Sequence, residues 1–86
     1  FQRMVINAPV TLFQHQQVLE GVCRDLSANG MGVEVNKHAF DLAQPIRVSL
    51  ATSSNLLPPF EAQARIVRVL EEEDGLLLAL EFLSLT

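Results

Sequence analysis

The run Asp25-Leu26-Ser27-Ala28-Asn29-Gly30 separates two apolar stretches, Val18 to Cys23 and Met31 to Val35. After it, Met31-Gly32-Val33-Glu34-Val35 alternates with period two, which puts Met31, Val33 and Val35 on one face of a strand and predicts that this face is core. Before it, Val18 to Arg24 carries apolar and polar residues on both faces, and Gly21 inside that run marks a bulge or a close approach of another backbone. Two strands joined by a short polar connection are therefore the unit from which the rest is read. The connection itself has two readings. Asp, Ser and Asn hydrogen-bond nearby backbone and Gly tolerates φ > 0, so a plain turn accounts for all four residues. The same four also bring an acid, a hydroxyl and an amide together in one place, as a binding loop would.

Working outward, Val10 to Phe13 reads as a short strand following Pro9, a position where strands tolerate proline. His15-Gln16-Gln17 is a polar connection. Asn36 to Pro45, with Phe40 and Leu42, reads as a packed connection and not a helix. Ile46 to Leu50 alternates cleanly, and Thr52 to Pro59 is a loop ended by the stiff Pro58-Pro59 pair. Phe60 to Ile66 alternates, after which Val67 to Leu70 changes phase, as a bulge or a change of face in a bent strand would require. Glu71-Glu72-Glu73-Asp74-Gly75 predicts a solvated hairpin tip. Leu76 to Leu83 is apolar on nearly both faces, Glu81 excepted, which predicts a strand buried on both sides. Six strands without an amphipathic helix make an all-β fold. A six-stranded antiparallel β-barrel is the expected architecture, because closure removes the edges that an open sheet would expose.

Composition supports one small domain over residues 1–86, with 49% apolar and 19% charged residues, five Phe and neither Trp nor Tyr. That balance belongs to a folding chain and not to a disordered one. No apolar run reaches the length of a membrane span, and no signal peptide is evident, so the expectation is a cytoplasmic domain without membrane insertion. The net charge of −4, with only six Lys and Arg, argues against nucleic acid as a partner. A single-stranded nucleic-acid barrel would also need the Tyr and Trp stacking platforms that are missing. Cys23 has no second cysteine to pair with and reads as a small buried hydrophobe. The chain starts at Phe1 with neither an initiator Met nor a cap, so the natural chain is expected to extend upstream.

Catalytic readings find little to stand on. His15 and His38 lie in connections without Cys, Asp or Glu at ligand spacing, so neither a metal site nor a cofactor is expected. Ser27 has Asp25 two positions before it but no histidine to serve as base, and no glycine-rich loop opens a helix; no enzyme is expected. What remains is a local reader of a small anionic ligand. A guanine offers adjacent N1–H and N2–H donors, which match the two oxygens of Asp25, while the Ser27 hydroxyl can donate or accept. Arginine would add a planar fork for phosphate that also stacks on purines. Arg3 is the candidate for that part, with Arg24 next.

Asp25-Leu26-Ser27-Ala28-Asn29-Gly30 fits D/N-x-S-x-x-G, and in this the chain resembles the PilZ domains, bacterial receptors for cyclic di-GMP. Arg3-Met4-Val5-Ile6-Asn7-Ala8-Pro9-Val10 is similar to the end of that family's RxxxR motif and the segment after it, with Arg3 as the second arginine. Val67-Arg68-Val69 and Leu78-Ala79-Leu80-Glu81-Phe82 resemble its last two strands, so the likeness covers nearly the whole chain. The resemblance implies a six-stranded barrel and no catalysis. It implies ligand-binding roles for Arg3, Asp25, Ser27 and Gly30, and a coupling to motility, biofilm or polysaccharide output through a partner protein or attached domain. The first arginine of the motif would fall two residues before Phe1. The alternative is a PilZ-like domain that binds no nucleotide and serves as a protein-interaction module.

Overall fold

The computed structural model describes residues 4–37, 40–50 and 60–85. Within them lie six strands, β1 Met4–Gln14, β2 Gln17–Leu26, β3 Gly30–Val35, β4 Ile46–Leu50, β5 Phe60–Glu72 and β6 Gly75–Leu85, with no helix. Every neighbouring pair is antiparallel, and the ring β1-β2-β3-β6-β5-β4 closes on itself. The barrel expected from periodicity is the observed fold.

Alternation along each strand builds the core. Leu12, Val33, Val48 and Leu78 are fully buried at its centre, and truncating a leucine in such a place to Ala costs about 2–5 kcal/mol. Small residues make room for the large ones, as the taper of a narrow barrel demands. Ala62 and Ala64 face inward from β5. At Gly21 on β2 a Cβ would come within 2.7 Å of the Glu34 carbonyl oxygen and of Val35 Cγ1. Gly21 is thus a point of close approach; the bulge of β2 lies further on, between Cys23 and Asp25.

Several boundaries differ from the sequence reading. The first strand begins at Met4 and not at Val10, because ladder bonds to β2 continue through Ala8 and, past a register shift, to Val5 and Met4. The connection between β1 and β2 shrinks to a turn of two residues, in which His15 takes a φ of 54°. Leu76 to Leu83 is not buried on both sides: Leu78 and Leu80 face the core, whereas Glu81 and Leu83 are exposed and Leu77 and Ala79 are half-buried on the outer wall. The loop expected over Thr52 to Pro59 lies outside the described residues, as do His38 and Arg3.

The packed connection between β3 and β4 has a specific anchor. Phe40 is buried as part of the core, and the buried Gln14 holds the backbone beside it. Its Nε2 donates to the Asp41 carbonyl at 2.8 Å, and its Oε1 accepts from the Asp41 N–H at 2.7 Å. Buried amides persist where both ends are satisfied in this way.

Candidate functional site

The six-residue connection turns out to be mostly strand. Asp25 and Leu26 end β2, Gly30 opens β3, and only Ser27, Ala28 and Asn29 bridge them. The Ser27 N–H and its Oγ both donate to the Gly30 carbonyl, at 2.9 and 3.3 Å, and Oγ accepts from the Asn29 N–H at 3.4 Å. The Phe82 N–H in turn donates to the Asn29 carbonyl at 2.7 Å, which ties the tip to β6. A serine hydroxyl has one proton, and here it is engaged within the turn. What Ser27 offers outward is a lone pair.

Gly30 serves a purpose other than positive φ. Among the described residues only His15 and Gly75 hold positive φ. At Gly30 a Cβ would fall 2.0 Å from the Leu80 carbonyl oxygen, so the glycine is needed because β6 passes directly over it.

Asp25 owes its direction to a bulge. Cys23 pairs with Val33 and Asp25 with Gly32, which leaves Arg24 as the extra residue of β2. Strict alternation would send Asp25 to the same side as the buried Cys23. One inserted residue reverses the phase and puts Asp25 on the outer wall beside Gly32. There its Oδ1 accepts from the Gly32 N–H at 3.1 Å. Cys23 stays inside, with its thiol donating to the Asp25 carbonyl at 3.3 Å. Burial foremost, and then the nearby charge of Asp25, push that thiol up to about 11, so it is a poor nucleophile at neutral pH.

Asp25, Ser27 and Gly30 meet at a groove of about 400 Å³ on the outer face of β3, β6 and β5. Gly32 and Ala79 line it, as does Arg68 from β5. Sequence reading singled out neither Gly32 nor Arg68 as a site residue; the signal at Arg68 was the change of phase at Val67, whose meaning depends on which strands are neighbours. Arg24 does not join the groove. Its guanidinium pairs with Glu34, the outward residue of β3 beyond Gly32. Among the described residues there is no group of three or more His, Cys, Asp or Glu placed to hold a metal ion, and no helix is long and apolar enough to cross a membrane.

Comparison with known proteins agrees with this architecture. No curated protein matches the sequence. Among solved structures the chain is similar to that of the Bacillus subtilis inhibitor of motility MotI/DgrA, with a TM-score of 0.81 at 16% identity. The likeness covers 98% of this chain and 42% of that one, and at this identity it speaks for the fold alone. The family model described as PilZ domain matches residues 1–86, the whole of the sequence. With its six-stranded barrel, and with the D-x-S-x-x-G residues gathered at one outer groove, the chain belongs to the PilZ domain family.

Proposed function

We propose that this domain is a receptor for cyclic di-GMP that relays the signal to a partner protein or attached domain, in the control of motility, biofilm or exopolysaccharide. PilZ domains are in general cyclic di-GMP receptors, regulatory and not enzymatic. The observation that carries the reading is the carboxylate of Asp25, turned outward by a bulge and held by the Gly32 N–H at the mouth of a groove. The two oxygens of a carboxylate match the N1–H and N2–H of a guanine, and the Gly32 N–H fixes where those of Asp25 lie. Ser27 would add an accepting lone pair, and Gly30 lets β6 close beneath the turn. Arg3, outside the described residues, would supply the phosphate or stacking contact from the N-terminal segment.

Calorimetric titration with cyclic di-GMP tests it. Asp25→Ala should weaken binding by about 1–3 kcal/mol, since a buried donor of the ligand loses its acceptor. Its effect on folding should stay within about 1 kcal/mol, as for a half-exposed position on the wall. A chain that also carries the residues preceding Phe1 should bind more tightly if an arginine stands two positions before it. The interaction-module alternative has its own support in Val67 and Leu70, which are exposed beside the groove. It becomes the better reading if neither chain binds the nucleotide.

A further inference from the structure

The row that holds Asp25 continues across the barrel wall. Asp25 pairs with Gly32, Gly32 with Ala79, and Ala79 with Arg68. A carboxylate and a guanidinium therefore stand at the two ends of one four-strand row, three strand spacings or about 14 Å apart as measured along the curved wall. Both ends face outward for the same reason. In β5, Ile66 pairs with Leu80 and Arg68 with Ala79, so Val67 is an extra residue just as Arg24 is in β2. Without that insertion Arg68 would follow the buried Ile66 into the core, where an unpaired charge is very costly. With it, Val67 and Arg68 are both exposed. Between the two ends of the row stand only Gly32 and Ala79, so no large side chain rises from the row itself, while Leu77 and Glu81 line the groove on either side of Ala79 along β6.

The other described arginines are engaged. Arg24 pairs with Glu34, Arg65 Nη2 lies 3.3 Å from Glu81 Oε1, and the Arg47 guanidinium sits 5.4 Å from the centre of the Phe13 ring. Arg68 makes no ion pair or ring contact among the described residues. A lone exposed cation on a strand is ordinarily solvated surface. This one is aimed by a bulge into a groove whose opposite end carries the acceptor.

We propose that Arg68 is the phosphate-binding end of the groove. A nucleotide presents its base edge and its phosphate at opposite ends, and Asp25 and Arg68, from strands three apart in the barrel, line the same groove. With the guanine edge on Asp25, the purine crosses Gly32 and Ala79, and the phosphate beyond its ribose meets the guanidinium fork, which binds phosphate oxygens in pairs. Glu81, two residues beyond Ala79 on β6 and the next to face outward, is drawn toward Arg65 by their ion pair and so opposes this anion less. The inference rests on the receptor reading above and adds to it a basic contact supplied by the barrel wall.

The test is calorimetric titration of cyclic di-GMP into the protein and into Arg68→Ala, Arg68→Lys and Arg47→Ala, with a thermal melt of each. Arg68→Ala should bind about ten- to a hundredfold more weakly at an essentially unchanged melting temperature. Arg68→Lys should recover part of the loss, because a point charge still attracts phosphate but cannot grip two oxygens. Arg47→Ala, on β4, should bind as the parent does. Undiminished binding by Arg68→Ala, beside a loss in Asp25→Ala, overturns the role of Arg68 and leaves the receptor reading standing. A parent protein that does not bind, either as it stands or with the residues preceding Phe1, removes the receptor reading and this contact with it.

Discussion

The Gly32 N–H donates to Asp25 Oδ1 at 3.1 Å, and a Cβ placed on Gly32 would lie 3.2 Å from each of the two carboxylate oxygens. The glycine holds the carboxylate and also leaves it space. A methyl group at that distance pushes the carboxylate aside by a few tenths of an ångström, and charge-assisted hydrogen bonds lose energy quickly with misalignment. Gly32→Ala should therefore weaken cyclic di-GMP binding by about 1–2 kcal/mol while the barrel still melts cooperatively. Titration beside a thermal melt checks this, and unchanged affinity would show that Asp25 does not need its present position.

Ala79 tests the groove from its floor. It is half-buried on the outer wall between Gly32 and Arg68, so a larger side chain there enters the groove and not the core. Ala79→Leu should abolish measurable binding, and its cost to folding should stay within about 1 kcal/mol. If Ala79→Leu binds as tightly as the parent, the ligand does not lie across this row.

At Gly30 the expected outcome is the reverse. A Cβ would meet the Leu80 carbonyl oxygen at 2.0 Å, a backbone atom that can move only if β3 and β6 separate. Gly30→Ala should destabilise the fold by about 2 kcal/mol or more through this overpacking. Denaturant unfolding measures it. A loss of binding with stability intact would instead assign Gly30 to the ligand.

The thiol of Cys23 gives a pH dependence with a definite sign. Its pKa is raised from 9.0 to about 11 by burial first and by the charge of Asp25 second, with a backbone hydrogen bond to Asp25 pulling the other way. Between those values the unfolded chain has released the proton and the native state keeps it, so stability falls as pH rises through that window. Urea midpoints from pH 8 to about 11 should show this fall, and Cys23→Ala should lack that component of it.

His15 holds a φ of 54° in the two-residue turn between β1 and β2, a region that glycine occupies without penalty. His15→Gly should raise stability by roughly 1 kcal/mol, or about 4–8 °C in Tm for a domain of this size. A thermal melt showing no gain would mean that the imidazole compensates for the strain.

Much of this protein is legible from local pattern. Met31, Val33 and Val35, and likewise Ile46, Val48 and Leu50, alternate into the core as period two requires. Asp25, Ser27 and Gly30 do lie together, because their spacing spans one strand connection and no distant contact is needed to gather them. The change of phase at Val67 was visible as well. What could not be read is the neighbour each strand would take. Gly30 was open to a positive-φ reading, since only the approach of β6, fifty residues on, shows that a carbonyl occupies the space of its side chain. Gly32 and Arg68 stayed silent for the same reason. The direction of Asp25 depends on a bulge against β3, that of Arg68 on a bulge against β6, and their shared row exists only once β2, β3, β6 and β5 lie side by side. Alternation along one strand is a local property that sequence determines by itself, whereas register between strands is a long-range pairing that only the closed barrel decides.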